Sequence, residues 1–156
     1  IFTQFIGFSA SLANRAGESE RSGVEAAIQW QATDTINLAG ALSNISSEND
    51  SGVDEIRVPE WTGSMSVNWT SLDTDGLRVG LAADYVGEQS DTDFGTFSNV
   101  VLDPYWLVSA TAEIPVTERL SVTLRGQNLF DETVTDVFGF NSVGIGGFIG
   151  LKLRTQ

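Results

Sequence analysis

Apolar and polar residues alternate with a period of two along nearly the whole chain. In "WTGSMSVNWT", Trp61, Gly63, Met65, Val67 and Trp69 share one face and Thr62, Ser64, Ser66, Asn68 and Thr70 the other, the pattern of a strand with one apolar side. The same alternation sets Val24, Ala26, Ile28 and Trp30 against Glu25, Ala27, Gln29 and Gln31, and Ile36, Leu38, Gly40 and Leu42 against Asn37, Ala39, Ala41 and Ser43. It returns in residues 77–85, 105–114, 120–127 and 145–154. With the opening run "FTQFIGFSASLAN", this predicts about eight strands, each near the ~9–11 residues that a tilted strand needs to cross a bilayer.

The connections alternate in length. Short ones with tight-turn chemistry are expected at residues 33–35, 72–76 and 116–118, and long ones at roughly 14–21, 47–57, 88–103 and 131–142. Most of the 21 acidic residues fall in the long connections, so the negative charge belongs mainly to one end of the structure. Short turns at one end and long polar loops at the other describe an antiparallel transmembrane β-barrel segment. The aromatic residues fit that reading. Trp30 and Trp69 lie near the short-turn ends of their strands, and Trp61, Tyr85 and Trp106 near the long-loop ends, all on the apolar face, as two membrane-interface girdles would require. Eight residues from Trp61 to Trp69, tilted at ~45°, rise by about 19 Å, which suits girdles flanking an apolar band. A soluble antiparallel sandwich also alternates apolar and polar residues, and it stands as the bland alternative.

Composition narrows the chemistry. The chain has no Cys and no His, which removes disulfides, thiol nucleophiles, His-based triads and most zinc sites. An enzyme would have to rest on Asp/Glu pairs such as Asp131 and Asp136, and nothing in the sequence fixes their geometry. No enzymatic activity and no cofactor are therefore expected. A net charge of −13 argues against a nucleic-acid partner, because phosphate binding needs a basic surface. No stretch reaches the roughly 18 apolar residues of a membrane helix, and no signal-peptide pattern opens the chain. A start at Ile1 is expected of a fragment.

Three segments then carry a family resemblance. "RSGVEAAIQWQATDTINLAGALSN", "RVPEWTGSMSVNW" and "LRGQNLFDETVTDVFGFNSVGIGGFIGLKL" resemble, in that order, the C-terminal barrel strands of the TonB-dependent outer-membrane receptors, with spacing most similar to the cobalamin and siderophore receptors. The resemblance covers nearly all of residues 1–156. It implies the last strands of a 22-stranded barrel, with no plug domain in this chain, long loops extracellular and the C-terminus periplasmic. It further implies an outer-membrane transporter importing a siderophore, cobalamin or similar scarce nutrient. Its partners would be outer-membrane lipid, the remainder of the receptor, TonB through the N-terminal region, and the metal chelate or cobalamin. The end of the chain, Arg154-Thr155-Gln156, departs from the terminal aromatic of such barrels. A stand-alone eight-stranded barrel, as a small porin or structural protein, is the second reading, because eight strands can close on a side-chain-filled interior.

The long loops hold the candidate contacts. Phe94, Phe97, Phe138 and Phe140 stand among glycines and acids, where apolar groups on loops can close over a ligand. Asp91 and Asp93 are weak candidates for calcium, since the surrounding run lacks the further carboxylates of a dedicated loop. In "NLFDE", Asn128 is expected to close a strand, Leu129 and Phe130 to seat the loop base, and Asp131 and Glu132 to face water. Glu25, Asp84, Arg78 and Arg125 are expected on the lumen side, paired with one another or with a plug.

Overall fold

The computed structural model describes residues 2–6, 9–13, 19–72 and 76–155, the first two segments by their backbone alone. Eleven strands and no helix occur among the described residues. The opening run forms β1 (Phe2–Ile6) and β2 (Ser9–Ala13), which pair with each other antiparallel. This corrects the single long strand expected there. Alternation alone does not distinguish one strand from two short ones folded back, and the available signal was the glycine, Gly7, that separates the halves in the sequence.

The remaining strands make the wall. β3 (Glu20–Gln31), β4 (Ile36–Glu48), β5 (Trp61–Thr70) and β6 (Arg78–Val86) are followed by a short hairpin, β7 (Gln89–Asp93) and β8 (Ser98–Leu102), and then by β9 (Tyr105–Pro115), β10 (Leu120–Gln127) and β11 (Gly146–Leu153). Seven of them form one sheet in the order β3-β4-β5-β6-β9-β10-β11, every neighbour antiparallel. β7 and β8 stand apart as their own two-stranded sheet, so the connection 88–103 is a built hairpin rather than a plain loop. β3 and β11 are the edges of the seven-stranded sheet, which is not closed among the described residues.

Two of the short turns use the same device. Thr33 Oγ1 accepts from the backbone N–H groups of Thr35 and Ile36 at 3.2 and 3.0 Å, and Thr117 Oγ1 accepts from those of Arg119 and Leu120 at 3.3 and 3.0 Å. A threonine hydroxyl thus takes the donors that a tight reversal would leave unpaired. At the third turn, residues 73–75 lie outside the described residues. The strands on either side are in register there, with Thr70 opposite Arg78 and Ser71 N–H donating to Leu77 O at 2.9 Å.

Register keeps the two faces chemically distinct across the whole sheet. Trp30, Leu38, Val67, Leu81, Ala110 and Gly126 occupy one cross-strand row, and Gln29, Ala39, Ser66, Ala82 and Ser109 occupy an adjacent row on the opposite face. The apolar face has no protein packed on it: Ile28 is 69 % exposed, Met65 54 % and Ile149 77 %. A sandwich would cover that face with a second sheet, and none lies over it among the described residues. The polar face is concave and lined mostly by small side chains, including Ala27, Ala41, Ser64 and Ser66, with hollows of about 590 and 580 Å³. Among the described residues, buried apolar side chains are confined to the loop end, at Leu102, Tyr105 and Val134.

Candidate functional site

The long connections converge at one end of the sheet, and Asp91 holds them together. This carboxylate is fully buried. Its Oδ1 accepts from Arg57 Nε at 2.9 Å and from its neighbour Thr92 N–H at 2.8 Å, and its Oδ2 accepts from Phe138 N–H at 2.7 Å. Residues from three separate connections therefore meet on one side chain: Arg57 before β5, Thr92 in β7 and Phe138 between β10 and β11. Burial works against the charge. The N–H groups of Phe138 and Thr92 and the Arg57 guanidinium outweigh it and hold the carboxyl below its ordinary value. Arg57 adopts φ +61° and also donates its backbone N–H to Ser90 O at 2.8 Å. A non-glycine residue in that region signals a locally imposed conformation.

A second cross-link lies beside it. Glu55 accepts from Ser19 Oγ, Ser47 Oγ and Arg21 Nε, each at 2.7 Å, and is ion-paired with Arg21. The hydroxyls of Ser19 and Ser47 and the Arg21 guanidinium lower its carboxyl to about 2. This ties the stretch entering β3 to the connection after β4. Asp93 closes the β7–β8 tip, accepting from Gly95 N–H at 2.8 Å and Thr96 Oγ1 at 2.6 Å, and these donors lower its carboxyl too. Of the weak calcium candidates, Asp91 is thus engaged as a loop cross-link and Asp93 within the tip of its own hairpin. Among the described residues no three acidic groups gather as a metal site would require.

The last connection is anchored at three points. Tyr105 Oη donates to Asp136 Oδ1 at 2.6 Å, Phe138 N–H reaches Asp91, and Val134 is 1 % exposed beneath them. Its base is the "NLFD" stretch. Asn128 is buried with φ +49°, its side chain donating to Glu132 O and accepting from Glu132 N–H, both at 2.8 Å. Asp131, at φ +54°, accepts from Ile145 N–H at 2.9 Å. Asn and Asp are the residues that best tolerate this left-handed region. Asn128 closes the strand as expected, and two of the expectations around it are corrected. Asp131 does not simply face water but binds the chain as it enters β11, because an acceptor is needed for Ile145 N–H outside the ladder. Leu129 alone seats the base, folding over Gly126, where an added Cβ would come within 2.7 Å of Leu129 Cδ2. Phe130 projects outward, 74 % exposed.

The four candidate phenylalanines fall into two exposed pairs. Phe94 and Phe97 occupy the tip of the β7–β8 hairpin, 63 and 81 % exposed, and Phe138 and Phe140 occupy the β10–β11 connection, 42 and 73 % exposed. Asp91 couples the two segments that carry them. The interface aromatics lie on the apolar face, with Trp30 and Trp69 toward the short turns and Trp61, Tyr85 and Trp106 toward the loops. Tyr85 and Trp106 face each other across β6 and β9 with ring centroids 4.9 Å apart. The expected lumen quartet does not assemble. Arg78 shares Glu113 with Lys152 and Arg154 at the short-turn end, whereas Glu25 and Asp84 lie in the loop half of the wall, too many rows away to meet it.

A sequence model of the TonB dependent receptor-like β-barrel matches residues 1–129. The chain belongs to that family. Solved TonB-dependent receptor barrels have the same fold. The ferripyoverdine receptor of the outer membrane of Pseudomonas aeruginosa superposes with a TM-score of 0.76 at 20 % identity, over 88 % of this chain and 20 % of the receptor. The ferric-catecholate import receptor of K12 E. coli gives 0.75 at 17 % identity, over 96 % and 22 %. The ferric yersiniabactin uptake receptor of Yersinia pestis gives 0.69 at 21 % identity, over 86 % and 22 %. The chain thus spans about a fifth of the length of the solved receptors it matches. No curated protein matches the sequence. TonB-dependent receptors are transporters rather than enzymes.

The two carboxylate clamps make separable predictions. Because Glu55 is depressed in the folded state, its contribution is present above its ordinary value of 4.5 and is lost as pH falls toward about 2. Limited pepsin digestion is expected to spare residues 49–57 near pH 4.5 and cut them near pH 2, while Glu55→Gln is cut at both. Replacing Asp91 by Ala removes acceptors from three connections at once. Amide exchange at Phe138 and through residues 131–142 is expected to rise by roughly tenfold or more, with the seven-stranded sheet unchanged; an unaltered exchange pattern would refute the clamp.

Proposed function

We propose that this chain is the C-terminal part of the barrel of an outer-membrane TonB-dependent transporter that imports a ferric siderophore. The observation that carries the reading is the unpartnered apolar face of the sheet, in a chain whose residues 1–129 match the receptor barrel. Lipid is the partner such a face requires. The solved relatives described above are receptors for iron chelates, which favours a siderophore over cobalamin as the cargo. On this reading the short turns and C-terminus are periplasmic, the long loops extracellular, and the remaining strands and plug lie in the rest of the receptor. The exposed pairs Phe94–Phe97 and Phe138–Phe140 supply apolar contact to a chelate, held at a common level by Asp91. TonB engages the receptor elsewhere, through its N-terminal region.

Two measurements test this. The full-length receptor is expected to bind ferric siderophores saturably and to take up radiolabelled iron in cells, with uptake abolished when TonB is deleted; failure to bind any ferric chelate, or uptake indifferent to TonB, would overturn the assignment. The membrane reading is tested separately by charge placement. Met65→Arg on the apolar face is expected to cost about 2–4 kcal/mol in lipid vesicles. Ser66→Arg, one residue along and facing the lumen, is expected to cost under about 1 kcal/mol, as lumen substitutions tune selectivity rather than insertion. Equal effects, or a chain that stays monomeric in water without detergent, would exclude the bilayer as its solvent.

A further inference from the structure

The polar face of the sheet carries its charge unevenly. In β9, β10 and β11 Glu113 is the one carboxylate, and Lys152 of β11, Arg154 just beyond it and Arg78 of β6 crowd it at 3.0, 3.5 and 3.8 Å. Arg125 stands one same-face row nearer the loops, opposite Thr111 and Phe148. No carboxylate engages it among the described residues. Four cations therefore share one carboxylate, whose charge can neutralise only one of them.

The floor under these cations is low. A Cβ at Gly80 would meet Asn68 Oδ1 and Thr111 Oγ1, each at 2.8 Å, and one at Gly150 would meet Thr123 Oγ1 at 2.7 Å, so short polar side chains lie over the two glycines. A hollow of about 450 Å³ remains there, lined on this face by Asn68, Arg78, Thr111, Thr123 and Arg125. Phe148 projects beside Arg125 from the same face and is 57 % exposed, a large apolar side chain left uncovered.

The cations extend from β6 to β11, three strand spacings or about 14 Å, too wide for one phosphate or carboxylate to reach. A free anion would also leave Phe148 in water. Carboxylates carried at intervals on a polypeptide, with an apolar residue among them, meet both needs. About four-fifths of each solved receptor lies outside the part that this chain superposes on, so the receptor itself has the chain to supply such a segment. We propose, resting on the reading of this chain as part of a larger closed barrel, that the short-turn half of the β9–β11 wall docks an acidic segment of the receptor's own plug. Arg125 is its free anchor, Arg78 and Lys152 pair it at the edge of their cluster, and Phe148 packs against an apolar residue between the carboxylates.

The test is zero-length carbodiimide coupling in the full-length receptor carrying Arg125→Lys, which keeps the charge and supplies an amine. An amide from position 125 to an Asp or Glu that precedes residue 1 and lies outside the barrel strands is expected, read by mass spectrometry of the digested protein. Phe148→Ser is expected to lower its yield several-fold. Arg125→Glu combined with Lys152→Glu is expected to raise amide exchange roughly tenfold in the segment so identified, while the barrel keeps its heat-resistant, fast-migrating form on gels. No coupling from position 125 to any residue outside 1–156, coupling suppressed by millimolar inorganic phosphate as for a free-anion site, or exchange unchanged by the double reversal would each overturn the docking. Neither readout involves a chelate or TonB, so both stand apart from the transport assignment, which fails instead on absent ferric-chelate binding.

Discussion

Everything in this structure depends on a sheet that satisfies its own backbone but not its side chains. Between its edges the ladder from β3 to β11 pairs the strands' N–H and C=O groups with one another, as strands in hydrocarbon require, and the outer sides of β3 and β11 are left for neighbouring strands. Its apolar face is left uncovered, with Trp30, Leu81, Ile149 and Leu151 all more than a third exposed. In water such a surface would be a liability of the kind that drives aggregation. Facing acyl chains it is the stabilising half of the molecule, and the buried core of a globular domain becomes unnecessary. That is why the few buried apolar side chains among the described residues gather at the loop end.

The loop end must solve the opposite problem. Its segments are largely polar and, among the described residues, bury only Leu102, Tyr105 and Val134, so carboxylates that each accept from several donors do much of the organising. Asp91 and Glu55 accept hydrogen bonds from neighbouring connections, and Asp93 from the tip of its own hairpin. Exposed ion pairs contribute little by themselves, but Asp91 is buried and also receives backbone N–H groups, whose donors would otherwise be unpaired at a non-ladder position. One side chain can therefore set the relative height of the two aromatic pairs at Phe94–Phe97 and Phe138–Phe140.

The wall was legible in the sequence and the clamps were not, for a physical reason. Alternation in "WTGSMSVNWT" is a local signal repeated over ten residues, and register then follows from the two turns at Thr33 and Thr117 whose chemistry is also local. Arg57–Asp91 and Tyr105–Asp136 join residues 34 and 31 apart in sequence, and no periodicity announces them. A charge in an acidic loop looks the same whether it is solvated or fully buried. The partial exceptions are Asn128 and Asp131, whose residue types favour the left-handed backbone they adopt. The opening hairpin was missed because β1 and β2 each alternate as one longer strand would.

Charge segregation links the two halves. Arg21 and Arg57, the described basic residues of the loop end, are each held in an ion pair, while Arg78, Lys152 and Arg154 crowd Glu113 at the other end of the wall. The negative surplus therefore belongs to the loops, while at the short turns Arg78, Arg119, Lys152 and Arg154 nearly balance Asp34, Asp73, Asp75, Glu113 and Glu118. At physiological ionic strength charges are screened beyond about 8 Å, so this polarity acts on groups in contact with the wall far more than on approaching solutes. A negatively charged chelate would meet repulsion from the loop carboxylates unless it approached through apolar contact. Under the proposed function the exposed phenylalanines at positions 94, 97, 138 and 140 offer that contact.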